Sequence, residues 1–462
     1  VARASEFAQG NRYFLEAQYE QAVACYRRAI AQRPNWYPYY ANMAEALVAL
    51  GDEAAATDAR AKAYSLQSRF GALGVAATPK RISSKGLLPT LPNRVRRKYK
   101  GSDLRRAEKS VGNLSKKMLG LGFYETALAE LQAQASAPNP ARRLVASREL
   151  TLLYINEGTP EAAERANEYI DYCLKNEQDD DYYRKAAVMK AESLRLRDKR
   201  SLERSFFKQV KSSVGEFPDF TLASANTFES VEKRIERVNK LYRDADLAPI
   251  ALAEIPGEAE DYNRLSVEQT LPECPDSMSD SAPLVTVIVP TFNAEDTLPV
   301  ALRSLQAQTW KRLEVLVVDD CSTDGTAEVV RRFAEQDERI RLISAEQNGG
   351  PYVARNLALL EAKGDFITTN DADDWSHPQK LEIQVRHLLQ NPAVMGNTSQ
   401  QARATPDLTF HRRGNYGYYI FMNMSSFLFR REVLKDVGFW DSVRCGPDSE
   451  FIGRIKKVHG QD

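Results

Sequence analysis

The stretch "GDFITTNDADDWSHP", residues 364–378, sets a short apolar run directly against a cluster of acids. The apolar run is typical of a buried β-strand. Asp371, Asp373 and Asp374 follow it at once, and like charges this close disfavour full ionisation unless a cation or a hydrogen-bond donor compensates them. The sequence therefore predicts a strand end that binds a partner.

Three β-branched runs precede this strand, and helical patterns lie between the runs. The runs are "VTVIV" (285–289), "LEVLVV" (313–318) and "IRLI" (340–343). The helical patterns place apolar residues three or four positions apart; they contain Leu298, Ala301, Leu302 and Leu305, then Ala327, Val330 and Ala334, then Val353, Leu357 and Leu360, then Leu381, Val385 and Leu388. Alternating strands and helices predict an α/β domain whose mostly parallel sheet is covered on both faces.

Polar motifs follow each of the four predicted strands. They are "PTFN" (290–293), "DDCSTDGT" (319–326), "NGGPYVARN" (348–356) and "NDADD" (370–374). Each motif alone also has a structural interpretation as a turn, a loop or a helix start. Parallel sheets bind ligands beyond the carboxyl ends of their strands, so the four motifs together predict one binding rim.

The residue types at this rim favour a nucleoside diphosphate held through a metal. A hard divalent cation such as Mg²⁺ or Mn²⁺ takes carboxylate oxygens and substrate phosphates, and Asp371 and Asp373 can turn to one side as the chain leaves the strand. The sequence has no glycine-rich dinucleotide or P-loop motif that would hold the phosphates instead. Asp319 or Asp320 could accept a hydrogen bond from the imide N–H of uracil or thymine.

The motifs "VTVIVPTFN", "LEVLVVDDCSTDGT", "NGGPYVARN", "GDFITTNDADDW" and "GFWD…GPDSEFIGR" occur in one order along the chain. With them, residues 284–459 resemble the family 2 glycosyltransferases of the GT-A fold, which are inverting enzymes with nucleotide-sugar donors. The resemblance implies cation-dependent transfer of a sugar, with UDP as the expected carrier, to a saccharide or glycolipid acceptor. Cell-surface polysaccharide biosynthesis is the expected setting.

The resemblance also implies roles for individual residues at the nucleotide. Pro290 and Thr291 would border the nucleoside. Asp320 would contact the edge of the base, with Arg355 beside it. Asp371 would contact the ribose or the metal shell.

Two further roles concern the metal and the reaction. Asp373 would be the direct metal ligand. Asp448, in "PDSEF", would be the general base, because it occupies the place of the family's acid-Asp motif; Pro447 stands where that family often has Glu. The alternative role of Asp448 is a cap at the start of a helix.

The N-terminal half has a different pattern, of helices separated by turns. "FAQGNRYFLEAQYEQAVACYRRAIAQRPNW" (7–36) places small and aromatic residues where two helices must pack together, and Pro34 ends the second helix. This spacing resembles the tetratricopeptide repeat of about 34 residues. We expect such repeats over 1–70 and degenerate helical repeats over 103–245. They could dock a partner protein or act as a rigid spacer, and the sequence favours neither.

Two segments are predicted as linkers. Residues 71–102 are basic and contain three prolines; they could contact an anionic membrane surface or simply be solvated. Residues 246–283 lack helical periodicity and precede the GT-A domain, 284–462. Because the chain begins with Val and stops without a terminal signal, we expect a portion of a longer protein, truncated within this domain.

Bulk composition argues against several classes of protein. Lys plus Arg and Asp plus Glu both number 63 among 462 residues, so net charge gives no reason to expect nucleic acid as a partner. No apolar run approaches the roughly 20 residues of a membrane span, and no signal segment opens the chain. We therefore expect a cytoplasmic protein whose membrane contact is at most peripheral, at the inner face. Five scattered cysteines argue against disulfides and a zinc site.

Two other functions compete with the transferase. The first is a repeat scaffold whose transferase-like half binds nucleotide sugar without turnover. The second is a phosphatase of the DxDx[TV] class, which fits less well because "DADDW" lacks the required Thr or Val and follows the fourth strand.

Overall fold

The computed structural model describes residues 18–32, 37–52, 54–59, 99–112, 123–412, 417–441 and 447–460, with single positions 6, 10, 13, 14 and 62. The chain divides into two compact units. One contains Val1–Thr227 with Arg412–Tyr419, and the other contains Phe228–His411 with Ile420–Asp462. We refer to them as the helical unit and the sheet unit.

The helical unit is built from α-helices, as its sequence predicts. These are α1 (Tyr19–Gln32), α2 (Tyr37–Ala49), α3 (Gly101–Ala107), α4 (Tyr124–Ala135), α5 (Pro140–Asn156), α6 (Pro160–Asn176), α7 (Asp180–Leu196), α8 (Arg200–Val214) and α9 (Pro218–Ala225). Helices α5 and α6 start with proline behind an Asn or Thr cap, Asn139 and Thr159, whose side chains accept backbone N–H bonds. The expected helical half is confirmed, whereas its tetratricopeptide character stays a prediction.

Small residues allow close helix packing in the first predicted repeat. Ala22, Ala29 and Tyr26 of α1 are buried. A Cβ atom on Gly10 would lie only 2.7 Å from the Tyr26 ring, so a larger residue at position 10 would push the aromatic side chain away. Most of the predicted basic linker, residues 71–98, lies outside the described residues.

The segment Arg412–Tyr419 belongs to the helical unit although it lies late in the sequence. The guanidinium of Arg412 is 3% exposed, pairs with Glu192 and donates to Asn156 Oδ1 at 3.1 Å. Tyr419 is buried, and its backbone N–H donates to Asp219 Oδ1 at 2.7 Å. Removing one partner of a buried Arg–carboxylate pair is strongly destabilising, because the charge of the other partner then stays buried without compensation.

The sheet unit begins with α10 (Val231–Asp244) and the antiparallel pair β1 (Ile250–Leu252) and β2 (Leu265–Val267). Strands and helices then alternate: β3 (Val285–Thr291), α11 (Leu298–Gln306), β4 (Leu313–Asp319), α12 (Thr326–Gln336), β5 (Ile340–Ser344), α13 (Pro351–Glu361), β6 (Phe366–Thr369) and α14 (Lys380–Gln390). The last elements are β7 (Gly396–Asn397), β8 (Gln400–Ala404), β9 (Phe410–His411), β10 (Ile420–Met422), β11 (Leu428–Arg430), α15 (Val433–Val437) and α16 (Pro447–His459).

In the described residues the main sheet has the order β5-β4-β3-β6-β11-β7. Strands β3 to β6 are parallel, whereas β11 pairs antiparallel with β6 and β7. The predicted α/β class with a mostly parallel sheet is therefore confirmed. A separate antiparallel sheet contains β10, β8 and β9.

Side chains of the central strands alternate between two cores, because successive residues of a strand point to opposite faces. Val287 of β3 packs in the core that contains residues of α11, α12 and α14. The next residue, Ile288, packs in the core that contains residues of α13, α15 and α16. Helices thus cover both faces of the sheet, and the ends of its parallel strands remain accessible.

The structure differs from the sequence expectation at 246–283. The predicted linker contains β1 and β2, and it belongs to the sheet unit together with α10. Asn239 of α10 connects β1 to the rest of the sheet unit, because its side-chain amide accepts from Ile250 N at 2.7 Å and donates to Ile250 O at 2.8 Å. Three-residue strands give no periodicity that sequence analysis could detect.

None of the described helices combines the length and the apolar character that a bilayer crossing requires.

Candidate active site

Two acidic side chains meet around one buried guanidinium, that of Arg355. Arg355 lies on α13, and its side chain is 3% exposed. Its Nη1 donates to Asp448 Oδ1 at 2.6 Å, and its Nη2 donates to Asp371 Oδ1 at 3.1 Å. The two carboxylates come from the first turn of α16 and from the end of β6. One cation therefore connects two residues that the sequence predicts as functional.

Aromatic groups surround the Arg355 guanidinium. The Tyr352 and Trp440 ring centroids lie 4.9 and 5.9 Å from its Cζ, within the range of a cation–π contact. The Tyr352 hydroxyl also donates to Asp448 Oδ2, at 3.5 Å. Sequence analysis missed Tyr352, although it lies in the quoted motif "NGGPYVARN" three residues before Arg355, on one face of the helix.

Asp448 is a partly buried carboxylate. Its side chain is 20% exposed. Burial raises the pKa of Asp448 above its usual range, and the adjacent Arg355 partly opposes this shift. The side chains of Arg355 and Tyr352 donate to its two carboxylate oxygens; the base and cap alternatives both remain predictions.

The acids after β6 differ in environment. Asp373 is exposed and the Asp371 side chain is 44% exposed. Burial, reinforced by the charges of Asp371 and Asp373, raises the pKa of Asp374 to about 7. Part of the repulsion inferred from the sequence is therefore relieved by the pairing of Asp371 with Arg355.

The loop that carries these acids is held by side chains on both sides. Asn370 Nδ2 donates to the carbonyls of Asp371 and Asp374, both at 3.0 Å. The Tyr262 hydroxyl donates to Asp373 O at 2.9 Å and accepts from Trp375 N at 3.0 Å. Tyr262 lies more than 100 residues before the loop, so no local pattern in the sequence could have identified it.

Asp320 accepts hydrogen bonds from the loop between β5 and α13. Gly349 N and Gly350 N donate to its two carboxylate oxygens at 2.8 and 2.7 Å, and Asn348 Nδ2 donates to its backbone carbonyl. Gly350 has a φ of +84°, a conformation that other residues adopt only with strain. A carboxylate has about four lone-pair positions, so these bonds leave Asp320 capacity for a base edge, and that predicted role remains untested.

Thr291 and Pro290 lie buried at the end of β3. The Thr291 hydroxyl donates to Val318 O at 3.1 Å, and Asp320 N donates to Thr291 O at 2.9 Å. These bonds connect the ends of β3 and β4. The adjacent Phe292 is 51% exposed, and it was not among the predicted site residues. Contact of Pro290 and Thr291 with a nucleoside stays a prediction.

We expect Asp320→Asn to destabilise the sheet unit by about 1–3 kcal/mol. The amide nitrogen of Asn cannot accept a hydrogen bond, so one of the two glycine N–H groups would lose its partner. Urea unfolding followed by circular dichroism measures this loss. Asp296→Asn, at an exposed aspartate of the same unit, is the matched control and should change stability by less than about 0.5 kcal/mol. Equal midpoints for the two variants would contradict the expectation.

The acids can supply oxygen ligands, although they form no complete metal cage. Within the part of the chain that the structure describes, no group of three or more His, Cys, Asp or Glu side chains is arranged to hold a metal ion. A cation that binds nucleoside diphosphates typically takes one or two carboxylates and completes its shell with phosphates and water. Asp373, with Asp371, fits that kind of site.

Comparison with known proteins identifies the domain. Residues 286–439 match the model of the family described as "Glycosyl transferase family 2", and this region is a domain of that family. The glucosyltransferase WfgD of Escherichia coli, "UDP-Glc:alpha-D-GlcNAc-diphosphoundecaprenol beta-1,3-glucosyltransferase", is 42% identical over 108 residues, 23% of this chain and 42% of WfgD. The "Putative teichuronic acid biosynthesis glycosyltransferase TuaG" of Bacillus subtilis is 36% identical over 127 residues, 28% of this chain and 50% of TuaG. The chain thus spans half or less of the length of these relatives.

Among solved structures, S. aureus TarS 1-349 in complex with UDP-GlcNAc has a TM-score of 0.30 and 23% identity. That similarity covers 37% of this chain and 52% of TarS 1-349. The mannosyltransferase PcManGT of Pyrobaculum calidifontis, in complex with GDP-Man and Mn²⁺, has a TM-score of 0.32 and 23% identity, over 53% of this chain and 65% of PcManGT.

Proposed function

We propose that this protein, which carries a glycosyl transferase family 2 domain, is a cation-dependent inverting glycosyltransferase. It would transfer a sugar from a nucleoside diphosphate, with UDP as the favoured carrier, to a saccharide or glycolipid acceptor. The observation that carries the proposal is the guanidinium of Arg355, which bonds both Asp448 and Asp371 at the carboxyl edge of the parallel sheet. The names of WfgD and TuaG support a UDP-sugar donor and cell-surface polysaccharide biosynthesis.

Asp448 would act as the general base. A carboxylate must take the proton of the acceptor hydroxyl as that oxygen attacks the anomeric carbon. Partial burial raises the pKa of Asp448, which makes it a stronger base, and the bond from Arg355 fixes one of its oxygens. One displacement, with attack opposite the departing diphosphate, inverts the configuration of the anomeric carbon.

Asp373 and Asp371 would hold the divalent cation, Mn²⁺ or Mg²⁺. When bound, such a cation neutralises negative charge that develops on the diphosphate leaving group. The exposed carboxylate of Asp373 is available for this purpose without breaking the pair between Asp371 and Arg355. Pro290, Thr291 and Asp320 would border the nucleoside, at the ends of the neighbouring strands β3 and β4.

The helical unit would dock a protein partner or the acceptor's assembly machinery. Stacked helix pairs commonly provide extended binding surfaces.

The test is a panel of nucleotide sugars incubated with the protein and Mn²⁺ or Mg²⁺, with release of the nucleoside diphosphate as the readout. We expect release from a UDP-sugar that stops when EDTA removes the cation. Parallel calorimetry measures UDP binding. Cation-dependent UDP binding without release, over a broad panel of acceptors, would instead favour the scaffold alternative.

A further inference from the structure

Tyr262 connects the segment before the family domain with the loop after β6, residues 370–376, which carries Asp371, Asp373 and Asp374. It lies on a short 3-10 turn, Tyr262–Arg264, between β1 and β2, outside the matched residues 286–439. Its hydroxyl donates to Asp373 O at 2.9 Å and accepts from Trp375 N at 3.0 Å. One oxygen atom thus bridges the two backbone groups that flank Asp374.

The opposite side of the same loop is also fixed. Asn370 donates to the carbonyls of Asp371 and Asp374, and its own Oδ1 accepts from Ser376 Oγ at 2.6 Å. The loop backbone is therefore held from two sides, while the Asp373 side chain is exposed. Because a side chain starts from its backbone, fixing the loop limits the directions in which the Asp373 carboxylate can point.

The region around Tyr262 is itself anchored to residues after the loop. Ala248 N donates to Gln379 Oε1 at 2.9 Å, and Ala248 O lies 3.0 Å from His377 Nε2. The Tyr242 ring stacks on the His377 ring with 5.2 Å between centroids. Such contacts order the segment 242–264 against the loop, so the Tyr262 hydroxyl makes its two bonds from a fixed support.

We propose that Tyr262 is a positioning residue for the cation and diphosphate, acting by holding the backbone on both sides of Asp374 so that the Asp373 carboxylate keeps one orientation. This inference rests on the proposed function. Preorganised ligands bind more tightly because less freedom is lost on binding.

The experiment compares the wild-type chain with Tyr262→Phe, which removes the bridging oxygen and keeps the ring. Hydrogen exchange of the peptide containing residues 371–376 should show about tenfold faster exchange of the Trp375 amide, because its acceptor is gone. Calorimetric titration with UDP should show an affinity in the presence of Mn²⁺ that is lower by about tenfold. UDP affinity in EDTA should be unchanged.

Tyr154→Phe is the matched control, since it removes a buried hydroxyl that accepts from Gln132 Nε2 at 3.0 Å in the helical unit. It should alter neither measurement. Wild-type exchange and wild-type Mn²⁺-dependent affinity in Tyr262→Phe would overturn the inference. Equal loss of UDP affinity with and without Mn²⁺ would also overturn it, because that result indicates a general structural role.

The two proposals fail in different ways. If the wild-type protein shows no Mn²⁺-dependent binding of UDP, the proposed function is overturned and the role of Tyr262 at a cation falls with it. If the wild type binds and Tyr262→Phe matches it, only the positioning role is overturned. Circular dichroism melting of each variant confirms that the compared proteins are folded.

Discussion

Asp448→Asn is expected to lower the rate of sugar transfer by about 10²–10⁴-fold, the contribution that a positioned general base makes. The amide has nearly the same shape as the carboxylate, and it can still accept from Arg355 through its oxygen. It cannot take the proton of the acceptor hydroxyl. The affinity for UDP should remain within about threefold of wild type, because the acid acts on the acceptor side of the reaction.

The measurement is release of UDP from the UDP-sugar found by the panel, followed at saturating donor and acceptor. Asp280→Asn, at an exposed aspartate of the same unit, is the control and should retain the wild-type rate. Transfer at the wild-type rate by Asp448→Asn would remove Asp448 from the mechanism. The cap alternative would then remain; because Asn caps a helix about as well as Asp, it predicts a loss of stability of about 1 kcal/mol for Asp448→Ala and little change for Asp448→Asn.

Asp373→Asn is expected to abolish most cation-dependent binding of the nucleotide and to lower transfer by at least about 10²-fold. A neutral amide oxygen is a much weaker ligand for a hard divalent cation than a carboxylate is, and the charge on the departing diphosphate would then be poorly neutralised. Raising the Mn²⁺ concentration should restore part of the activity, because the defect lies in occupancy of the site.

Calorimetry with UDP, in Mn²⁺ and in EDTA, checks this result. Asp280→Asn changes an exposed aspartate of the same unit and should bind UDP as the wild type does. Unchanged Mn²⁺ dependence in Asp373→Asn would show that the cation is held elsewhere. The loss of cation-dependent binding expected for Asp373→Asn differs from the result expected for Asp448→Asn, in which UDP binding persists and only turnover is lost.

The sequence was sufficient to predict the parallel part of the sheet and the edge at which its polar motifs meet. Buried strands such as β3 and β4 are continuous β-branched runs, and the helices between them have clear periodicity. The right-handed α/β arrangement then brings the carboxyl ends to one edge. Asp371, Asp320 and Thr291 could therefore be assigned to the same region without coordinates.

The pairings within that region could not be predicted. Arg355 and Asp448 are 93 residues apart, and their contact depends on how α13 and α16 pack on the same face of the sheet. The contacts of Tyr262 were even less predictable, because it lies in a segment that has the composition of a linker. Its role follows only from the contacts of Asn239 and Ala248, which order that segment.

The discontinuous helical unit has a practical consequence for work with fragments. The polypeptide passes from one unit to the other after Thr227, after His411 and after Tyr419. A fragment cut at Thr227 to isolate the sheet unit would keep Arg412 and Tyr419 but lose Glu192 and Asp219, the groups that pair with them. Such a fragment would expose the Arg412 guanidinium and the Tyr419 ring to solvent, so poor solubility of the fragment would be a consequence of the position of the cut.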